Sequence, residues 1–399
     1  THNRSGTGTV TLGNGSVFNG VSVMPGVGPA PLVHSIDVGL AGANPDRVRQ
    51  CFSGAHLDPA KVAGKIVLCQ RGGSADANAR VDKSFAVLQA GGVGTIVANV
   101  VAGASLNADF HSTPAVHVDD VAFGAIAAYI SGTGAGASAT LSDATINLTT
   151  PAPFTAGFSS RGPLTAGAGD LLKPDVIAPG QDILAAVANT VAQGNRDFNL
   201  LSGTSMSAPH VAGLAALLRD KHPTWSPMRI KSALMTTGTD VIDPAISDAT
   251  RIFRQGAGHV RPNSAVDPGL VFDSGFNDWL AFLCGTTTGV NPASCTALEN
   301  AGFSLDPSDF NSASIAIGAL AGTQTVTRKV TNVGSTAATY NAAHTGLTGF
   351  NVAVTPSALT LSPGQTGTFD VTITRTTATL NSYTGGQLTW SDGTHNVRI

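Results

Sequence analysis

The sequence has few charged residues, and no segment concentrates charges of one sign. Lysine, arginine, aspartate and glutamate together make up 12% of the 399 residues, and the formal net charge is −3. This is about half the usual share of charged residues in a soluble domain. Because a protein neutralises a nucleic-acid backbone with clustered lysine and arginine, this composition excludes nucleic acids as partners.

Long apolar runs are also missing. Runs such as Val121 to Ile130 are much shorter than the roughly 20 residues that a membrane-spanning helix needs. We therefore expect no membrane partner. The chain opens on the polar residues Thr1 to Arg4, which do not resemble a signal peptide. We expect that a leader was removed or that the chain begins within a longer precursor.

Only four cysteines are present, and they form two local pairs, Cys51 with Cys69 and Cys284 with Cys295. Three pairings are formally possible, and proximity along the chain favours these two. No Cys-x-x-Cys motif indicates redox work, and no group of histidine, cysteine or acidic residues has zinc-ligand spacing. We predict two disulfides and an extracellular, secreted protein; the alternative is four buried thiols in a cytosolic protein.

The most informative segment runs from Gly203 to Gly213 and sets Ser205 at the start of a predicted helix. Val211, Leu214 and Leu218 repeat at helical spacing and predict its buried face. A serine at a helix N-terminus lies near free backbone N–H groups and a partial positive charge, which can stabilise an oxyanion. The alternative is a tightly packed helix start in which serine is only a cap.

This segment, with Leu200 to Ser202 before it, closely resembles the serine motif of the subtilisin-like proteases (subtilases). Phe158 to Pro163 and Lys173 to Gly180 resemble the blocks that precede the serine in that family. The resemblance implies that Ser205 is the nucleophile and that its backbone N–H forms part of the oxyanion hole. The second block also reads as a strand that leads into a Pro-Gly turn.

The resemblance does not extend to a complete catalytic site. In subtilases the order along the chain is aspartate, histidine, oxyanion asparagine and serine, and none of the ten histidines has the family's His-Gly-Thr-type context. His210 lies five residues after Ser205 on another part of the helix, so we predict a hydrogen-bonded core residue. Asp273 stands in a short Asp-Ser-Gly match, but it follows the serine within a structural closing segment. The catalytic histidine and aspartate are therefore predicted not to be in this chain, and the oxyanion asparagine is missing as well.

Hydrophobic patterns and the resemblance together predict the architecture. The expected fold is the C-terminal part of an α/β subtilisin-like catalytic domain, with an α+β PA insert and an all-β fibronectin-III-like sandwich. In the insert, Val81, Phe85 and Leu88 predict an amphipathic helix that ends at Gly91 and Gly92. The predicted segments are a catalytic segment at 1–24, the PA-like insert at 25–145, a catalytic segment with Ser205 at 146–275, a disulfide-bearing linker at 276–305 and the fibronectin-III-like domain at 306–399.

These features predict a secreted serine endopeptidase that cleaves protein or peptide substrates through an acyl-enzyme on Ser205. The chain alone is predicted to be inactive, because loss of the histidine alone costs subtilisin about 2 × 10⁶ in kcat. Its expected partner is an N-terminal fragment of the same precursor that carries the aspartate and the histidine. The alternative is a catalytically silent fragment whose PA-like and fibronectin-III-like domains bind proteins. No cofactor is identifiable; subtilases often bind structural calcium, but its scattered oxygen ligands leave no sequence pattern.

Overall fold

The computed structural model describes residues 4–72, 78–189, 195–243, 247–287 and 289–399. The strands of this part of the chain are β1 (Ser5–Leu12), β2 (Val17–Val21), β3 (Val27–His34), β4 (Ile66–Arg71), β5 (Gly94–Asn99), β6 (Ala115–Val118), β7 (Ser138–Leu141), β8 (Thr145–Asn147), β9 (Ile183–Ala186), β10 (Phe198–Leu201), β11 (Leu270–Val271), β12 (Thr323–Asn332), β13 (Ala338–Gly346), β14 (Phe350–Thr355), β15 (Ala358–Leu361), β16 (Thr366–Arg375), β17 (Gly386–Ser391) and β18 (Asn396–Arg398). The helices are α1 (Pro45–Arg49), α2 (Pro59–Val62), α3 (Arg80–Gln89), α4 (Asp120–Thr133), α5 (Thr204–Lys221), α6 (Pro227–Thr236), α7 (Asp248–Gln255), α8 (Pro262–Ala265), α9 (Phe276–Thr286) and α10 (Pro292–Asn300).

The N-terminal part is a closed barrel in the order β2-β6-β5-β4-β3-β7-β1, with β8 added beside β1. It closes because β1 pairs with both β2 and β7. Every second residue of β1 is buried, as a strand with one face on a core requires. Val10, Leu12, Ile66 and Ile96 share one apolar core with Ile126 of α4.

The position of β1 and β2 differs from the predicted domain division. Both strands belong to the barrel, because β1 pairs with β7 and β2 pairs with β6. The predicted catalytic segment at 1–24 is therefore, as far as it is described, a part of the PA-like sheet. Residues 1–3 of that segment lie outside the described residues. The alternating pattern of β1 indicated a strand but carried no information about its partners.

Helix α3 forms at the predicted place and ends before Gly91, whose φ of 79° suits a glycine. Its orientation differs from the expectation, because Phe85 is 45% exposed whereas Lys83 is fully buried. The buried face is held by polar contacts: Lys83 Nζ donates to the Gln50 carbonyl, and Ser84 Oγ lies 3.0 Å from His111 Nδ1. The predicted stripe of Val81, Phe85 and Leu88 is therefore exposed, whereas Ala86 and Val87 pack in the core.

Residues 148–269 contain the helices α5 to α8 and the antiparallel hairpin of β9 and β10. The parallel sheet expected of an α/β catalytic domain is not formed by the described residues of this segment. Lys173 to Gly180, predicted as a strand, makes only one parallel bridge, between Ile177 and His259. A parallel strand is stable with neighbours on both sides and cover on both faces, and this segment supplies one short neighbour.

The C-terminal part is an antiparallel sandwich, as predicted. One sheet has the order β11-β12-β16-β14 and the other β15-β13-β17-β18. Tyr340, Phe369 and Trp390 are buried between the sheets. Strand β11 comes from the segment after α8, so the sandwich includes two residues that precede its predicted start.

Both predicted disulfides are present. Cys51 is bonded to Cys69 in the PA-like part, and Cys284 to Cys295 between α9 and α10. The first bond lies in an apolar cluster with Val62, and the second joins two helices in the linker. Among the described helices, none combines the length and the apolar character needed to cross a bilayer.

Candidate active site around Ser205

Ser205 is the second residue of α5, directly after the β9–β10 hairpin. The hairpin ends with the pair Ile183 and Leu201, and the chain then turns into the helix at Gly203. The Gly203 N–H donates to the Gly180 carbonyl at 2.7 Å. A Cβ on Gly180 would lie 2.8 Å from the Gly203 carbonyl oxygen, so only glycine permits this approach.

The surroundings of Ser205 suit a nucleophile. The residue is exposed, and in the described part of the chain its hydroxyl has no hydrogen-bond partner. It stands at the N-terminus of an 18-residue helix, where unpaired N–H groups and the helix dipole favour a developing negative charge. Next to it is a cleft of about 370 Å³ lined by residues that include Phe154, Phe158, Gly203 and Thr204.

The two residues that resembled catalytic partners have other contacts. His210 is hydrogen-bonded, as expected, because its Nδ1 donates to the Met206 carbonyl at 2.8 Å. It is exposed, however, and not a core residue. Asp273 accepts hydrogen bonds from Ser226 Oγ at 2.5 Å and from Arg229 Nε at 2.7 Å. Ser226 is the N-cap of α6, so Asp273 supports the start of that helix.

The remaining described histidines are distributed over three parts of the molecule, and none is hydrogen-bonded to Ser205. Burial lowers the pKa of His111 to about 4 and that of His117 to about 3. His222 is stacked on Trp225 at 3.9 Å between ring centroids. The set comprises His34, His56, His111 and His117 in the PA-like part, His222 and His259 beside α5 and α6, and His344 and His395 in the sandwich; His2 lies outside the described residues.

No described group of three or more histidine, cysteine, aspartate or glutamate residues is arranged to hold a metal ion. Asp175, which lines the cleft beside Ser205, is held by two lysines. Asp175 pairs with Lys173 at 2.6 Å and with Lys231 at 2.9 Å. Burial raises the pKa of Asp175, but the two lysines outweigh this effect and hold the pKa below its usual value.

Asp182, which no sequence pattern indicated, lies opposite Ser202 at the end of the hairpin. Ser202 Oγ accepts from the Asp182 N–H at 2.8 Å and donates to Asp182 Oδ1 at 3.0 Å. Asp182 has a φ of 52°, a conformation that is uncommon for residues other than glycine, asparagine and aspartate. Only this backbone angle and the hairpin register distinguish the residue, and neither is visible in the sequence.

Comparison with known proteins is consistent across the three parts of the chain. Family models match a PA domain at residues 30–126, the subtilase family at 134–258 and a fibronectin type-III domain at 309–399. Subtilisin-like protease SBT5.4 of Arabidopsis thaliana is 39% identical over 98% of the chain and 52% of its own length. Subtilisin-like protease SBT1.7 of the same plant is 40% identical over 97% of the chain and 53% of its own length. The chain thus spans about half the length of these relatives.

Solved structures show only limited similarity. A FixG-related protein from Vibrio parahaemolyticus is 23% identical over 19% of the chain and 71% of its own, with a TM-score of 0.17. BSAP, a zinc aminopeptidase from Bacillus subtilis, is 16% identical over 37% of the chain and 32% of its own, with a TM-score of 0.22. Scores this low carry no argument about the fold.

Proposed function

This chain belongs to the subtilase family, and we propose that it supplies the nucleophile of a secreted serine endopeptidase. The observation that carries the proposal is the position of Ser205, exposed at the N-terminus of α5 with an unpartnered hydroxyl in the described structure. The two disulfides fit an oxidising compartment. Protein and peptide chains are the proposed substrates.

The proposed chemistry is acyl transfer. A histidine base takes the Ser205 Oγ proton while Oγ attacks the carbonyl carbon of the substrate, and an aspartate orients the histidine. The backbone N–H of Ser205 donates to the resulting oxyanion. The histidine then passes the proton that it took from Ser205 Oγ to the leaving amine. Water finally hydrolyses the acyl-enzyme. None of the described histidines reaches Ser205, so the base must be supplied by another segment.

We propose that this segment is the histidine- and aspartate-bearing N-terminal part of the same precursor. The surface around the hairpin and α5 suits such a partner, because large apolar side chains are exposed on both elements. Phe198 is 59% exposed on β10, and Leu217 is 67% exposed on α5. Contiguous exposed apolar surface is characteristic of a protein interface. Leu184, which is 61% exposed, lies on the same face of the hairpin as Phe198.

A fluorophosphonate probe tests the proposal, because it reacts only with an activated serine. We expect labelling at Ser205 when the chain is assembled with the N-terminal part, and none in the chain alone. Ser205→Ala should abolish the labelling. Ser207→Ala is the matched control, since Ser207 lies in the same helix turn but donates to the Ala178 carbonyl. An assembled complex that remains unlabelled would favour the alternative, a protein-binding module without catalysis.

A further inference from the structure

Residues 104–111 lie in the connection from β5 to β6. They form a strap between the barrel and residues 148–269, the nucleophile segment that carries Ser205. Its odd-numbered residues contact the barrel, although Ser105 Oγ also accepts from the Gly157 N–H of the nucleophile segment at 2.7 Å. Arg71 Nη1 donates to the Ser105 carbonyl at 2.6 Å, and the Asn107 N–H donates to His117 Nδ1 at 3.1 Å. Asp109 accepts two bonds from Arg80, at 2.6 and 2.9 Å.

The even-numbered residues from Leu106 to Phe110 contact the nucleophile segment, whereas the Ala104 carbonyl accepts from Asn99 Nδ2 of the barrel at 2.9 Å. Gln181 Nε2 donates to the Leu106 carbonyl at 2.6 Å, and the Ala108 N–H donates to Asp182 Oδ1 at 3.0 Å. The Arg196 guanidinium lies 5.0 Å from the centre of the Phe110 ring and donates to the Phe110 carbonyl. Between Leu106 and Phe110 the partners therefore alternate, as in an extended chain held between two surfaces.

The strap reaches the nucleophile turn through one side chain. Asp182 Oδ1 accepts from the Ala108 N–H and from Ser202 Oγ, and Ser202 stands three residues before Ser205. The φ of 52° at Asp182 places its side chain and its N–H so that both contact Ser202. A non-glycine residue in this conformation is strained unless its contacts compensate, and such residues cluster at functional sites.

We propose that Asp182 is a positioning residue for Ser205 and that the strap of the PA-like barrel holds Asp182 in place. The barrel thereby controls the geometry of the turn that presents the nucleophile. The catalytic part of this proposal rests on the proposed function of Ser205. A misplacement of about 1 Å can cost about 100-fold in rate, so release of Ser202 should lower kcat while substrate binding, and with it KM, changes little.

Hydrogen exchange measured on the described chain tests the coupling without any activity. In Asp182→Ala and in Ser202→Ala, we expect the amides of residues 202–206 to exchange about tenfold faster, as the loss of one or two hydrogen bonds implies. The double variant should exchange more slowly than the product of the two single effects predicts, because the single variants share the loss of the bond from Ser202 Oγ to Asp182 Oδ1. Asp182→Asn retains an oxygen acceptor and tolerates the positive φ, so its exchange should stay within about threefold of the parent.

A change on the barrel side tests the role of the strap. Ala108→Pro removes the N–H that donates to Asp182, and it should accelerate exchange at 202–206 although it lies in another domain. Gln181→Ala, which removes the neighbouring contact, serves if the proline variant fails to fold. Asp143→Ala is the matched control, because it removes a comparable bond to the Gly26 N–H away from the strap.

Parent-like exchange at 202–206 in Asp182→Ala and Gln181→Ala would overturn the proposal, as would equal acceleration in Asp143→Ala. In the assembled protease we expect Asp182→Ala to lower kcat at least tenfold with KM within about twofold, and Asp182→Asn to restore most of kcat. A loss of kcat/KM that comes equally from a raised KM would also contradict the proposal. If Ser205 is never labelled, the proposed function fails, but the exchange result still decides whether the strap holds the turn.

Discussion

His117 shows how a single buried residue connects the barrel to the strap. Its Nδ1 accepts from the Asn107 N–H, and its Nε2 lies 2.9 Å from Asn99 Oδ1. Burial lowers the pKa of His117 to about 3; the Asn107 carbonyl opposes this, and the charges of Arg71 and Arg80 add to it. The ring is therefore neutral in the folded protein at every pH at which the protein is expected to work.

The buried neutral ring predicts acid sensitivity. The unfolded chain binds a proton at His117 below about pH 6.5, whereas the folded protein does so only near pH 3. The free energy of unfolding should therefore fall as the pH decreases from 6.5 towards 3. In urea titrations of the barrel, His117→Gln should be less stable than the parent at pH 6.5. Its free energy of unfolding should fall less steeply as the pH decreases. His344→Gln, at an exposed position of the sandwich, should keep the parental slope; an unchanged slope in His117→Gln would contradict the assignment.

A substitution of Asp273 can distinguish a structural role of this residue from a catalytic one. Because it supports the N-cap Ser226 and pairs with Arg229, Asp273→Ala should cost about 1–2 kcal/mol of stability. It should leave fluorophosphonate labelling of Ser205 in the assembled protein unchanged. Loss of labelling with unchanged thermal stability would instead identify Asp273 as a member of the catalytic site. Asp278→Ala, which removes the carboxylate bonded to the Gly275 N–H, is a nearby control.

At the scale of elements, the sequence predicted the helices whose positions are determined by local residue patterns. The period of 3.6 residues located α3, and small residues with a helical repeat located α5 and Ser205. The buried face of α3 could not be predicted, because hydrophobicity favoured Phe85 whereas hydrogen bonds to Gln50 and His111 bury Lys83 and Ser84. These polar contacts between distant segments accompany the core packing of Ala86 and Val87, and they have no local signature.

The contacts of the nucleophile turn were equally invisible. Ala108 and Asp182 are 74 residues apart, and the donor is a backbone N–H that any residue except proline would supply. Residue type therefore carried no signal for the strap. The assignment of β1 and β2 shows the same limit, since an alternating pattern identifies a strand but not its neighbour.

The two disulfides should stabilise separate elements. Their cysteines are 18 and 11 residues apart, so each loop closure is worth about 3 kcal/mol. Cys51→Ala with Cys69→Ala should lower the stability of the barrel by this amount in denaturant titrations. Cys284→Ala with Cys295→Ala should leave the barrel transition unchanged and accelerate hydrogen exchange in α9 and α10. If both double variants lowered the stability of the barrel equally, the two disulfides would not stabilise separate elements.

At the scale of the whole molecule, His395 links the sandwich to the segment after α8. Its Nδ1 lies 2.8 Å from Asp392 Oδ2, and its Nε2 lies 3.3 Å from Asp267 Oδ2. Gly269 leaves room beside the ring, since a Cβ there would approach both His395 and Tyr340. Only a protonated imidazole donates to both carboxylates at once.

This link predicts a loss of stability at rising pH. Burial lowers the pKa of His395, but the hydrogen bonds to Asp392 and Asp267 outweigh burial and raise it above the ordinary 6.5. The stabilisation is therefore complete below pH 6.5 and is lost as the pH rises through the folded pKa. NMR titration should show a lower His395 pKa in Asp267→Asn, with no change in Asp46→Asn at the exposed start of α1. A His395 pKa unaffected by Asp267→Asn would contradict the link.

The alternating partners of the strap impose a rule of parity on its length. Removal of one residue between 106 and 110 would exchange the two faces downstream, so that groups now bonded to Arg80 and His117 would meet the hairpin. Removal of two residues would shorten the strap but keep each face on its own side. Loop grafts between related proteins should therefore tolerate even changes of length at this position and fail at odd ones.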